Sequence, residues 1–230
     1  MTTFILTALL SLLFEDKPRI PPMSVQISEN LYAHQTEVTN RDWAEYIRYS
    51  WLDTAKNPND FTYFPKQEYP QKPDFLPKVN LSYEKALGYC KWITDITNKY
   101  GPKRNSGVRV NYRLPTESEI RKMLDYEEEE FRKRANQIAH KISDREDKEV
   151  FAGLVPTRDR VKGKLERFKK KRVYGLFHNA AEMSSVEGIA FGMTNDTFDP
   201  SGDLMPKVVY SGPSPNVGCR CVAEFIYEQD

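Results

Sequence analysis

Three cysteines are the residues of this chain best suited to redox or metal chemistry. Cys219 and Cys221 stand in NVGCRCVAEF near the C-terminus, and Cys90 stands far upstream in GYCKW. Thiolates act as nucleophiles and bind soft metals such as copper(I), whereas paired thiols also cross-link folds. If residues 219 and 221 lie in one strand, their side chains share a face about 6.5–7 Å apart, which is poor geometry for a bond between them. A catalytic pair, a metal site and a structural cross-link therefore all stay open.

No catalytic signature accompanies the cysteines. The chain has three histidines, His34, His140 and His178, and none has a second histidine at i+3 or i+4. That spacing would place two zinc ligands on one helical face. The sequence also has no G-x-S-x-G and no glycine-rich phosphate loop. The residues taken alone therefore identify no enzyme class.

The charge balance and the length of the chain limit the classes of protein to consider. Among 230 residues, 34 are Lys or Arg and 33 are Asp or Glu. Charges that nearly cancel give no reason to expect nucleic acid or a membrane surface as the main partner. The length suits one domain with a real core, with at most one appendage.

An apolar run, FILTALLSLLF, occupies residues 4–14. It has the length of a signal peptide's apolar core and falls short of the about 20 residues that span a bilayer. We expect residues 1–22 to be a signal-peptide-like or anchor segment followed by a proline-rich linker. The protein is then exported, periplasmic or at the cell surface, and meets the membrane only through this segment. The alternative is an apolar arm packed on the domain. Export would place the cysteines where disulfides form.

The elements that must position these residues begin with a hairpin and a helix. Apolar and polar residues alternate over residues 23–39, which predicts a strand or a hairpin. Thr39 and Asp42 match a loose capping box at the start of a helix, and Trp43 begins the apolar face of that helix. Five prolines fall in residues 52–78, which predicts a long irregular loop.

Cys90 lies on a second predicted helix, which begins at Ser82 and ends at Gly101. Apolar residues recur there at helical spacing, so we expect Cys90 to face inward. A short strand, VRVNYR, then leads to a third helix, where Thr116 and Glu119 form a capping box.

Two further segments complete the predicted organisation. Residues at about 125–150 are rich in both charges and in helix-forming residues. Because opposite charges pair along a helix surface, we expect a charged helical insertion there. The tail, KVVYSGPSPNVGCRCVAEFIYE, predicts two strands around a Gly/Pro turn.

Five short blocks occur in a fixed order: TEVTNRDWAEYI, VNLSYEKALGYCKWIT, YRLPTESEI, GLFHNAAEMSS and VGCRCVAE. In order and wording they resemble the sulfatase-modifying-factor family, whose namesake is the formylglycine-generating enzyme. The stretch AEMSSVEGIAFG is similar to non-catalytic relatives in bacterial gliding and secretion lipoproteins. The resemblance implies an α+β fold of irregular, C-type-lectin-like architecture. It would be loop-rich, with short antiparallel strands and about three main helices, and residues 23–230 would form a single domain.

The resemblance also assigns roles to the cysteines. In the family, the cysteine of YCKW bonds the cysteine of the last block, which implies a disulfide between Cys90 and Cys221. Two buried thiols are the alternative. Oxidases of the family use two further cysteines, which bind copper(I) and activate oxygen, but the matching stretch GIAFGMTNDTFDPSGDLMPKVVY contains none. Cys219 lies beyond that stretch. We therefore expect neither copper nor formylglycine-generating activity.

Calcium is the one cofactor that the resemblance leaves open. Family members bind it near the block G-N-V-x-E-W through backbone carbonyls, an Asn and a Glu, and oxygen ligands suit calcium. The matching residues are Asn179, Ala180 and Glu182, although the block is shorter here. In the alternative interpretation, Glu182 pairs with a cationic side chain and caps local backbone.

These expectations favour a non-catalytic family member. It would be an exported scaffold or binding protein with protein partners in a cell-envelope assembly. The main alternative is an active formylglycine-generating-type oxidase with a divergent site. A calcium-dependent domain that binds glycans or small ligands is a third hypothesis.

Overall fold

A computed structural model of the chain describes residues 20–21, 23–56, 76–100, 107–124, 173, 175–176, 179–194, 202–203 and 205–227. Apart from residues 20 and 21, the predicted N-terminal segment lies outside these residues, as does the predicted insertion at about 125–150. Within the described ranges, no helix has the length and apolar character that crossing a bilayer requires.

Three helices and two small sheets make up the described structure. The helices are α1 (Asn40–Lys56), α2 (Tyr83–Tyr100) and α3, which is described over residues 117–124. The strands are β1 (Ser24–Ser28), β2 (Leu31–His34), β3 (Val108–Arg113), β4 (Ala181–Met183), β5 (Ile189–Phe191), β6 (Lys207–Val209), β7 (Val217–Gly218) and β8 (Val222–Tyr227). The first sheet has the antiparallel order β1-β2-β8-β3, and the second has the order β6-β5-β4-β7 with β4 and β7 parallel.

Helix α1 begins at the predicted capping box. The Thr39 N–H donates to Asp42 Oδ2 at 3.0 Å, and the Asp42 N–H donates to Thr39 Oγ1 at 3.2 Å. Two backbone donors at the helix start are therefore satisfied by side chains. The prediction of a loop from residue 52 was wrong at its start, because α1 continues to Lys56. The first proline in this stretch is Pro58, and its direct conformational restrictions fall on itself and on residue 57, beyond the end of the helix.

Helix α2 carries Cys90 on its buried face, as predicted, and also closes one edge of the first sheet. The Asn98 side chain donates to the Val110 carbonyl at 2.8 Å and accepts the Val110 N–H at 3.0 Å. One turn earlier, Thr94 Oγ1 accepts the Tyr112 N–H at 2.8 Å. These side chains take the place of a further strand along β3, whose backbone groups would otherwise lie open.

Helix α3 is joined to β3 by a paired arginine and glutamate. Arg113 donates from two nitrogens to the two oxygens of Glu119, each at 2.7 Å. The same carboxylate accepts the Thr116 N–H at 2.8 Å, which completes the predicted capping box. A two-pronged contact of this kind fixes the direction in which the chain enters the helix.

Two apolar clusters form the core. The larger joins the first sheet to α1 and α2 and includes the packed rings of Trp43, Tyr46 and Tyr89, whose centroids lie 4.9 to 5.9 Å apart. The smaller packs Ile120 and Met123 of α3 against residues of β2 and β5. The prediction of an irregular α+β fold with short strands and about three helices is confirmed.

Candidate functional site

Three charged side chains are buried where the two sheets meet. Glu37 follows β2, Glu182 lies in β4, and Arg220 lies in the link between β7 and β8; their exposed fractions are 1%, 1% and 0%. Buried charges occur where they are paired or hydrogen-bonded. With Asn179, these residues form what we call the carboxylate–arginine cluster.

Arg220 supplies the positive charge of this cluster. Its Nε donates to Glu182 Oε1 at 2.9 Å, and its Nη2 lies 2.8 Å from the same oxygen. Its Nη1 donates to the carbonyl of His34 at 2.9 Å. The guanidinium therefore links β4 of one sheet to the end of β2 in the other.

Glu37 is held by amide donors from the other side of the cluster. Asn179 Nδ2 donates to Glu37 Oε2 at 3.0 Å, and the Ala180 N–H donates to Glu37 Oε1 at 3.4 Å. Gly175 adopts a φ of 77° beside the same carboxyl group, and a Cβ on it would lie 2.7 Å from Glu37 Oε2. The carboxyl group thus fills space that any larger residue at position 175 would need.

Burial is the main cause of the raised pKa values of Glu37 and Glu182. It raises the pKa of Glu37 well above the ordinary value, and repulsion from Glu182 raises it further, while Arg220 and the amide donors oppose this. Burial also raises the pKa of Glu182, against the attraction of Arg220. Each of the two buried carboxyl groups is therefore harder to ionise than an exposed glutamate.

The three residues matched to a calcium site lie together at this cluster, where they contact other groups of the protein. Asn179 and Ala180 donate to Glu37, and Glu182 accepts from Arg220. In the part of the chain that the structure describes, Glu182 Oε2 is buried without a hydrogen-bond partner. No group of three or more His, Cys, Asp or Glu side chains there is arranged to hold a metal ion.

The three cysteines form a second buried group, the sulfur cluster. Cys90 Sγ lies 3.0 Å from Cys221 Sγ, and no bond joins them in the structure. The exposed fractions of Cys90, Cys219 and Cys221 are 2%, 0% and 0%. Contrary to expectation, residues 219 and 221 do not lie within a strand but in the link between β7 and β8, since the chain crosses there from one sheet to the other.

The surroundings of Cys219 and Cys221 disfavour the thiolate form. Burial raises the pKa of the Cys219 thiol well above its ordinary value, and the neighbouring Cys90 raises it further. The contact with Cys90 and burial raise the pKa of the Cys221 thiol in the same way. Copper(I) sites use thiolates, and reactive thiols have a low pKa and access to solvent. Cys219 and Cys221 have neither property, so they do not fit such a site.

Of the three histidines, His34 lies among the residues that the structure describes. His34 ends β2, where its carbonyl accepts from Arg220 and its ring packs edge-on against Tyr112 with centroids 5.4 Å apart. His140 and His178 lie outside the described residues.

Sequence reasoning missed Glu37 and Arg220 as members of one cluster. Both stand inside blocks that had been singled out, TEVTN and GCRCV. Charged residues are mostly exposed, so a local pattern gives no sign that these two are buried. The available signal was the combination of a Glu in TEVTN, a Glu in AAEM and a single Arg between two cysteines.

A model of one protein family matches almost the whole chain. The family is described as the sulfatase-modifying factor enzyme 1-like domain, and the match covers residues 6–222. No curated protein and no solved structure matches the chain.

Proposed function

The chain belongs to the sulfatase-modifying factor enzyme 1-like family, and we propose that it is a non-catalytic member that acts as an exported scaffold or binding protein. In this proposal the fold is kept and the oxidase chemistry is lost. Its partners are proteins of a cell-envelope assembly, as the likeness of AEMSSVEGIAFG to gliding and secretion lipoproteins suggests.

The main observation behind the proposal is the position and the burial of the three cysteines in the sulfur cluster. The chain has three cysteines, and none falls in residues 188–210, the stretch that matches the oxidase site. Two of them face each other at 3.0 Å, and the third is fully buried beside them with a raised pKa. A thiol in such surroundings is protonated and inaccessible, so it neither binds copper(I) readily nor attacks a substrate.

Export is supported by the pairing of Cys90 with Cys221. Their sulfurs lie 3.0 Å apart, and a disulfide between them would form and persist mainly in an oxidising compartment. A cross-link between residues 131 positions apart closes a long loop. Chain-entropy reasoning gives such a link a stabilising effect of about 4–5 kcal/mol. This disulfide belongs to the proposal, together with an N-terminal segment that directs export.

The proposal is tested by offering the purified full chain the family's type of substrate. The chain is incubated with copper, oxygen and a peptide containing Cys-x-Pro-x-Arg, and the peptide is followed by mass spectrometry, with an active family member as positive control. We expect the peptide thiol to stay intact while the control converts it to an aldehyde. Conversion by this chain that requires copper would overturn the proposal in favour of an oxidase with a divergent site.

A further inference from the structure

The carboxylate–arginine cluster occupies the place where the family resemblance implies calcium. We infer that Arg220 takes the place of a divalent metal in this domain. Its guanidinium links the segments that a bound metal would otherwise hold together, and the domain folds without a metal. This inference concerns the fold alone and does not depend on the proposed loss of catalysis.

The first support is the use of the Glu182 carboxylate. Glu182 Oε1 accepts from Arg220 Nε at 2.9 Å and lies 2.8 Å from Nη2. Calcium binds oxygens at about 2.3–2.6 Å. A calcium ion on this oxygen would therefore lie close to two positively charged N–H donors and be repelled by them. The carboxylate is therefore engaged by a cation that the chain itself supplies.

The second support is the direction of the amide contacts. Calcium takes oxygen ligands, commonly six to eight of them. Here Asn179 and Ala180 both direct nitrogen donors at Glu37, at 3.0 and 3.4 Å. The segment that would wrap a metal instead wraps a carboxyl group of the same chain. Gly175 makes room for that group, because it has no Cβ.

The third support is the position of Arg220 in the fold. A structural metal holds separate segments together, and Arg220 does this by contacting Glu182 in β4 and the carbonyl of His34 at the end of β2. Arginine suits a buried site of this kind, because its planar, weakly hydrated guanidinium presents several donors in a fixed fork.

The unpartnered oxygen, Glu182 Oε2, is where a metal would bind if the inference were wrong. It is buried without a donor among the described residues, and such an atom calls for a water, a proton or an ion. A calcium titration therefore separates the two possibilities directly.

The experiment measures the melting temperature of the full chain after treatment with a chelator, and then during titration with calcium chloride. A ligand that binds only the folded state raises the melting temperature in a saturable way. We expect no shift for the unmodified chain, and the same result for Glu182→Gln. A saturable rise for the unmodified chain that is lost in Glu182→Gln would overturn the inference.

A double-mutant cycle on Arg220 and Glu182 provides a second, independent test of their pairing. We expect Arg220→Met to lower the melting temperature more than the double variant Arg220→Met/Glu182→Gln, because the single change leaves a buried charge without its partner. Equal effects, or a large effect of Glu182→Gln with little effect of Arg220→Met, would show that Arg220 is not the counter-ion. If Arg220→Met yields no folded protein, the calcium titration of the unmodified chain and Glu182→Gln still decides.

Discussion

The sulfur atoms of Cys90 and Cys221 lie 3.0 Å apart, although 131 positions separate the two residues in the chain. Cys90 belongs to α2 and Cys221 directly precedes β8, so the contact joins α2 to the first sheet. Its chemical state decides whether the cysteines are a structural cross-link.

A non-reducing peptide map determines that state. In protein taken from its native compartment and alkylated before digestion, we expect the peptides containing Cys90 and Cys221 to be joined, with Cys219 as the remaining thiol. The physical reason is that the first two sulfurs face each other in a buried site. A Cys219→Ala variant should show the same link. Recovery of Cys90 and Cys221 as separate alkylated thiols would remove the support for export and for the cross-link together.

Asn98 offers a test of how the first sheet is closed. Asn98→Leu removes two hydrogen bonds to the backbone of Val110 and leaves the edge of β3 partly unpaired. We expect a loss of about 1–3 kcal/mol in the free energy of unfolding, measured with urea. Lys91→Ala on the same helix is the matched control, because it breaks an exposed ion pair with Asp95 and should cost about 0.5 kcal/mol. Equal costs for the two variants would refute the role of Asn98.

The Arg113–Glu119 pair predicts how stability depends on pH. Partial burial by itself would raise the pKa of Glu119, but the hydrogen bonds from Arg113 and Thr116 lower it overall. A depressed folded-state pKa means that this contribution is present above the pKa of the unfolded state and is lost as the pH falls through the folded pKa. Glu119→Gln should therefore be less stable than the unmodified chain near neutral pH and should approach it in acid.

Urea unfolding between neutral pH and the range below the ordinary pKa of a glutamate measures this difference. Glu117→Gln is the control, since Glu117 pairs with Arg121 on the exposed side of the same helix and takes no part in the cap. A gap between Glu119→Gln and the unmodified chain that stays constant with pH would contradict the prediction.

Alanine substitutions at two glycines with the same φ distinguish the cost of backbone strain from the cost of steric crowding. Gly175 and Gly188 both have a φ of 77°, so an alanine at either position should cost about 1–2 kcal/mol for the left-handed backbone. At Gly175 the added Cβ would also lie 2.7 Å from Glu37 Oε2, whereas at Gly188 its closest neighbour is 3.3 Å away. Gly175→Ala should therefore be the more destabilising variant, by about 1 kcal/mol or more. Chemical denaturation of both variants checks this, and a smaller cost at position 175 would argue against the close fit of Glu37.

Local signals were enough to predict much of the fold. The capping residues Thr39 and Thr116 predicted helix starts that the structure confirms. The helical spacing of the apolar residues correctly predicted that Cys90 faces the core. The end of α1 was misjudged, because a proline-rich stretch was taken to begin before its first proline. Such signals work because they depend on neighbours within one turn of the chain.

The polar contacts between separate segments could not be predicted in the same way. Asn98 bonds to the backbone of β3, and Arg220 pairs with Glu182 from another part of the chain. Glu182 and Arg220 belong to residue types that are usually exposed, and only the tertiary fold removes them from water. The family resemblance brought Asn179, Ala180 and Glu182 together but did not identify Glu37 and Arg220 beside them.

Copper(I) binding by the purified full chain tests the central claim most directly. The claim is that this domain has no accessible thiolate pair with which to hold the metal. Competition with a chromophoric copper(I) chelator, carried out without oxygen, measures any transfer of metal to the protein, and Cys219→Ala serves as the control. We expect no stoichiometric transfer to either protein. One copper per chain on the unmodified protein, abolished by Cys219→Ala, would contradict it.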